Sequence, residues 1–231
     1  MPIGIISDCL SVFLGGLFGP AAGRFISEKT RGTVTVILGI CALSIGINSV
    51  IKVNSMTPVV IAVILGTLCG DYLKLEARIT ALFGKILHGL VQDRKNFDMD
   101  NFITVVVLFC ASGFGIYGVL TEGMSGNPEI LLSKSVLDFF TAFMFAASLG
   151  ISVALVAVFM LAVFAVLFML SSFLGPVITP AMLQDFMACG GILTIAAGLR
   201  VSKIKNIPIA DMIPALIFVL PFSAVWSFVM P

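Results

Sequence analysis

Apolar residues run almost unbroken through most of this chain, and polar ones gather between the runs. A helix needs about 20 mostly apolar residues to cross the hydrocarbon core of a bilayer. Runs of that kind fall at 3–23, 33–51, 57–73, 102–121, 132–149, 152–174, 184–200 and 209–229. The fifth and sixth divide one long run at Ser148-Leu149-Gly150-Ile151-Ser152, the place in it where small and polar residues coincide. A re-entrant fifth segment is the alternative to a full crossing there. The pattern predicts an all-α fold: a polytopic transmembrane helical bundle of about eight spans, one domain over residues 1–231.

One stretch departs from this pattern. In "KLEARITALFGKILHGLV" (74–91), Leu75, Ile79, Leu82, Ile86 and Leu90 recur at helical spacing, while Lys74, Arg78 and Lys85 fall elsewhere on the wheel. This suits an amphipathic helix on the membrane surface with its basic residues among the headgroups; a solvated helical arm fits the same spacing. "QDRKNFDMDN" (92–101) reads as a solvated linker. Residues 74–101 are thus expected to form an arm and linker on the cytoplasmic side.

Loop charge supports the count. Of the 13 Lys and Arg, only Lys52 and Lys134 lie on one side of an eight-span chain. The rest fall at 24–31, 74–95 and 200–205, all on the other. Cytoplasmic loops carry the excess of positive charge, so both termini are expected on the non-cytoplasmic side. Dropping the fifth span would move Arg200, Lys203 and Lys205 to the wrong side.

Composition agrees: 59% hydrophobic, 11% charged, mean hydropathy +1.17. A soluble domain carries roughly 25% charged residues, so a lipid bilayer is the natural solvent for this surface. The net charge of +1 gives no basic patch of the sort nucleic acid requires. The N-terminal run carries Asp8 and meets its first positive charge only at Arg24, the wrong order for a cleaved signal; it reads as an uncleaved first span. Cys9, Cys41, Cys69, Cys110 and Cys189 each sit in an apolar run without ligand spacing, and His88 has no ligand neighbours. No metal or other cofactor is expected.

Three segments resemble one another. "ILGICALSIGINSVI" (37–51) and "VVLFCASGFGIYGVL" (106–120) align without a gap, and "CGGILTIAAGLRVSK" (189–203) matches the first through Gly191-Ile192 and Gly198. "VFLGGLFGP" (12–20) likewise matches "FMLSSFLGP" (168–176). The first and second spans therefore resemble the sixth and seventh, which run oppositely through the membrane. An inverted repeat of spans 1–3 and 6–8 builds many secondary transporters; chance coincidence of Gly, Ala, Ile and Leu is the alternative.

Glycines mark packing faces. Gly15, Gly19 and Gly23 line one face of the first span, and Gly66 and Gly70 one face of the third. Small residues let membrane helices approach closely, so these two spans are expected in the core. Gly190-Gly191, Pro214 and Pro221 are candidate helix breaks, tolerated where protein or a water-lined cavity satisfies the freed backbone; ordinary kinks are the alternative.

A carboxylate at the bilayer centre costs roughly 2.5–3.5 kcal/mol on insertion scales. Asp71, Asp185 and Asp211 lie near span ends, where headgroups are expected to solvate them. Asp8 and Asp138 lie deeper. Lys134 stands one helical turn before Asp138 and is placed to neutralise it, either to anchor a helix end or to face an aqueous vestibule. No nucleophile elbow, zinc-protease or P-loop motif occurs, so an enzyme is not expected.

The stretches "LLSKSVLDFFTAFMFAASLGISV" (131–153), "LFCASGFGIYGVL" (108–120), "CGGILTIAAGLRVSKIKNIPIADMIPAL" (189–216) and "GGLFG" (15–19) give the whole chain a resemblance to the YqgA-like bacterial inner-membrane family. The resemblance implies a multi-pass protein of the bacterial inner (plasma) membrane. It singles out Lys134, Ser135, Asp138, Gly150, Gly190, Gly191, Gly198 and Pro214, and implies that Asn often stands at the positions of Asp8 and Asp211. It implies no substrate.

The sequence is best read as a transporter or channel-like protein for a small ion or polar solute. Its pathway is expected along Asp138, Lys134, Ser135, Asp8 and Asn48, with a broken backbone at Gly190 and Gly191. A non-transporting scaffold or sensor accessory acting through the 74–101 arm is the rival, and a lipid-handling protein with a lateral opening a third reading. Eight short spans offer little bulk for a stand-alone pathway, so a homo-oligomer is expected.

Overall fold

The computed structural model of the protein describes residues 2–23, 27–86, 99–174 and 178–229. Within them the chain forms α1 (Ile3–Gly23), α2 (Glu28–Val50), α3 (Met56–Leu73), α4 (Leu75–Ile86), α5 (Met99–Cys110), α6 (Gly113–Ser125), α7 (Glu129–Leu149), α8 (Ser152–Leu174), α9 (Pro180–Val201), a 3-10 turn (Ile209–Met212) and α10 (Pro214–Val229). No strand occurs among the described residues. Among the described residues eight segments are long and apolar enough to cross a membrane; α5 with α6 forms the fourth, and the 3-10 turn with α10 the eighth. Residues 87–98, with His88 and most of the linker expected at 92–101, lie outside the described residues, as do the basic Arg24 and the Gly-Pro ending of the repeat at 175–176; residues 99–101 of that linker instead open α5.

Backbone contact through small residues holds the bundle together. α1 and α7 run parallel. A methyl placed on Gly15, Gly19 or Gly23 would come within 2.6 Å of the carbonyl oxygen of Phe139, Phe143 or Ala147 respectively. α2 crosses α9 antiparallel through two reciprocal pairs, Gly39 with Gly198 and Gly46 with Gly191. α3 meets α10 and the turn before it where Gly66 faces Ala215 and Gly70 faces Asp211.

The centre of the bundle is elsewhere than the glycine spacing suggests. The fourth and seventh spans are 72% buried, against 44% for the first and 28% for the third. A glycine face seats one neighbour and leaves the rest of its helix free, so α3 is peripheral, while α1 is the third most buried span and adds Ile5, Cys9 and Val12 to the core.

The breaks also differ from expectation. The fourth span, continuous in the sequence pattern, is interrupted at Ala111-Ser112. Ser112 is extended, and its hydroxyl accepts the Gly115 amide at 3.0 Å, capping α6 in mid-membrane. The expected break at Gly190-Gly191 is absent, because α9 runs through both. Gly190 packs on Gly113 and Gly191 on Gly46, so the pair is a seat for its neighbours. Pro221 lies within an unbroken α10, while Pro214 opens that helix after the 3-10 turn.

Candidate functional site

Three ionisable side chains meet inside the bundle. Asp8 on α1 is fully buried, and Lys134 on α7 nearly so. The Lys134 ammonium lies 3.0 Å from Asp8 Oδ2 and also pairs with Asp138 Oδ2, one turn along α7. The aromatic rings of Phe109 and Phe164 lie 5.9 and 5.7 Å from Nζ, within the range of cation–π attraction. Gly115 makes room for the lysine stem: a methyl there would sit 2.9 Å from Lys134 Cε. Asp8 Oδ1 is buried and has no hydrogen-bond partner.

Asp138 lies well inside its helix. α7 begins at Glu129, which puts Asp138 about 13 Å along a helix of roughly 31 Å at 1.5 Å per residue.

Beside the cluster is a chamber of about 60 Å³, room for a few water molecules. Its walls are Leu38, Cys41, Ala42 and Ile45 of α2, Leu108 and Phe109 of α5, Ser112 and Phe114 at the break, Lys134, Leu137, Asp138 and Thr141 of α7, and Thr194 of α9. A larger hollow of about 760 Å³ is lined by Lys52, Phe114, Tyr117, Thr121, Ser125 and Gln184, at the end of the bundle where α6 finishes and α9 begins. Phe114 lines both spaces.

Two residues expected on the pathway lie elsewhere. Asn48 is on an exposed face of α2. Ser135 is buried, but its hydroxyl donates to the Leu131 carbonyl of its own helix at 2.7 Å, and it borders a separate groove with Ser7 and Ser11. Adjacent helix positions point about 100° apart, so Ser135 cannot share the direction of Lys134.

Further buried acids cap helices. Glu122 accepts the amides of Gly4 (2.7 Å) and Ile5 (3.1 Å) at the start of α1. Asp185 accepts those of Asn54 (3.0 Å) and Ser55 (2.7 Å) ahead of α3, and the Ser223 hydroxyl at 2.6 Å. Asp211 accepts the Glu76 amide at 2.7 Å as α4 begins. Negative charge at a helix amino end is favourable. Amides solvate Asp185 and Asp211 where headgroups were expected; Asp71 is exposed. At the same end as Asp211, Arg200 pairs with Glu76 (2.5 Å) and Asp100 (3.3 Å) and donates to the Ile207 carbonyl at 3.1 Å. The bonds from Glu122, from Asp185 to the Asn54 and Ser55 amides, from Asp211, and between Arg200 and Glu76 join residues more than a hundred positions apart and leave no local signature. Among the described residues no three His, Cys, Asp or Glu side chains gather in a way that would hold a metal.

The family model described as "Protein of unknown function (DUF554)" matches residues 3–224. The chain is 39% identical over 231 residues to the uncharacterized protein YqgA of Escherichia coli (strain K12), covering 98% of each. It is 22% identical over 218 residues to the uncharacterized membrane protein YdfK of Bacillus subtilis (strain 168), covering 93% of this chain and 92% of that one. No solved structure matches.

Proposed function

We propose, from the premise that this chain belongs to the DUF554 family, that it is a secondary transporter of a small ion or polar solute in the bacterial inner membrane. One observation carries this: a transmembrane helix broken in mid-span is set against a buried ionic cluster, with a chamber between them. Non-helical backbone at membrane depth is found where protein or an aqueous cavity satisfies it. Ionisable side chains inside membranes mark ion and substrate pathways, and transporter sites use discontinuous helices near the midplane.

The chamber would be the binding site and the larger hollow its antechamber, with the Phe114 ring as the partition. Asp138, Lys134 and Asp8 would contact the bound solute or ion. The basic loops orient the molecule with the Arg200 end in the cytoplasm and both termini outside. The reciprocal Gly39–Gly198 and Gly46–Gly191 pairs support an inverted repeat, because a two-fold axis in the membrane plane would map one pair onto the other. The weakly buried second span, at 22%, suits a homo-oligomeric assembly. We assign no enzymatic step to any residue.

Purified protein in liposomes, screened against small ions and polar solutes, tests this reading. Uptake of one of them, altered by Asp138→Asn in a variant that still folds, supports it. Unchanged uptake in a destabilised Asp138→Asn variant would make the cluster a structural anchor. Reporter fusions at both termini test the orientation.

A further inference from the structure

We infer that Asp8, Lys134 and Asp138 together form a binding site for one proton, held on the carboxylate pair. The charges at the cluster do not balance: two carboxylates surround one ammonium. Among the described residues the remaining surroundings add no counter-charge. α1 contributes Cys9, α5 Cys110 and the Phe109 ring, and α6 the backbone of Gly115. α8 contributes Phe164 and has no titratable residue from Ser152 to Leu174. Across the chamber stand Cys41 of α2 and Thr194 of α9. A thiol or a hydroxyl carries no positive charge, so none of these side chains balances the second acid. The carboxyl end of α5 and the amino end of α6 meet at the break, where their opposite partial charges offset one another.

An uncompensated buried charge is costly enough that the group neutralises instead. The nearest solution is a proton. Asp8 Oδ1 is an acceptor to which nothing donates, while the ammonium already occupies the space between the two acids. Hard metal cations require a shell of several oxygens; beyond the two acids, the pair is packed by rings and thiols, and the hydroxyls in the chamber wall, Ser112, Thr141 and Thr194, are each already bonded to backbone. Proton uptake forms one carboxyl O–H bond and breaks one O–H bond of a hydronium in the antechamber. The cluster passes from one net negative charge to none, and no electron moves. As the driving ion of transport, this proton rests on the function proposed above; as a bound proton, it does not.

Infrared spectroscopy of the full chain in sodium-free detergent tests the inference. The expected result is a protonated-carboxyl C=O band at neutral pH. It shifts when isotope-labelled aspartate replaces aspartate, and fades as pH is raised. Asp8→Asn and Asp138→Asn should each abolish it, because either leaves one acid balanced by Lys134. The aspartate label on the wild-type chain serves even if neither variant folds. A folded wild type without a labelled band at neutral pH overturns the inference. So does a band that sodium chloride removes, which would make the occupant a metal cation. A band without uptake of any solute would sink transport and leave the proton site; uptake without the band would do the reverse.

Discussion

Gly190 of α9 seats on Gly113 at the break in the fourth span so closely that a methyl on Gly190 would lie 2.2 Å from the Gly113 Cα. Both contacting parts are backbone, so neither can yield by changing rotamer. Overpacking a fitted contact costs about 1–3 kcal/mol, and Gly190→Ala should fall at the upper end. Chemical unfolding in mild detergent measures it. A loss indistinguishable from zero would mean that the two helices separate freely at the break.

Lys134 and Asp138 should differ sharply when replaced. Removing one member of a buried ion pair costs about 3–5 kcal/mol, because the partner keeps an uncompensated charge. Lys134→Met leaves two acids facing each other and should approach that loss. Asp138→Asn leaves Lys134 paired with Asp8 and should cost less. Unfolding curves of both variants decide it; equal losses would show that the surplus acid plays no part.

Phe114 should control passage between the two cavities. In a chain whose native cysteines have been replaced, a cysteine at Thr194 should react slowly with a charged, membrane-impermeant thiol reagent. Adding Phe114→Ala should raise the rate several-fold. An unchanged rate would show that the ring does not separate antechamber from chamber.

Asp185 should matter for stability although it lies away from the chamber. It accepts two amides and a hydroxyl. Leaving buried donors unsatisfied costs about 1–3 kcal/mol. Asp185→Ala should lose that much in thermal or chemical unfolding, and Ser223→Ala a smaller part. A neutral Asp185→Ala would return that carboxylate to the headgroup region.

The spans were legible because apolar run length maps directly onto bilayer thickness. The Lys134–Asp138 pair was legible because positions four apart share a helix face. Asp8 joined them only through the α1–α7 packing, which a single-helix pattern does not reveal. The break at Ser112 escaped because no proline marks it. Its signals were a serine suited to cap a helix, followed by Gly113 and Gly115, inside an otherwise apolar run. The glycine doublet at 190–191 pointed to the wrong helix, since a glycine that receives a neighbour and one that unwinds its own chain look alike in sequence. Arg200 and Glu122 were hidden for the same reason as Asp8: their partners lie across the fold.

The three-glycine seam between α1 and α7 has a mechanical consequence. All three ionic groups ride on those two helices, which interlock along about two turns. They travel as a single stave, and their spacing is preserved whenever that stave moves. Any opening of the chamber must come from the facing wall of α2, α5, α6 and α9 sliding past it.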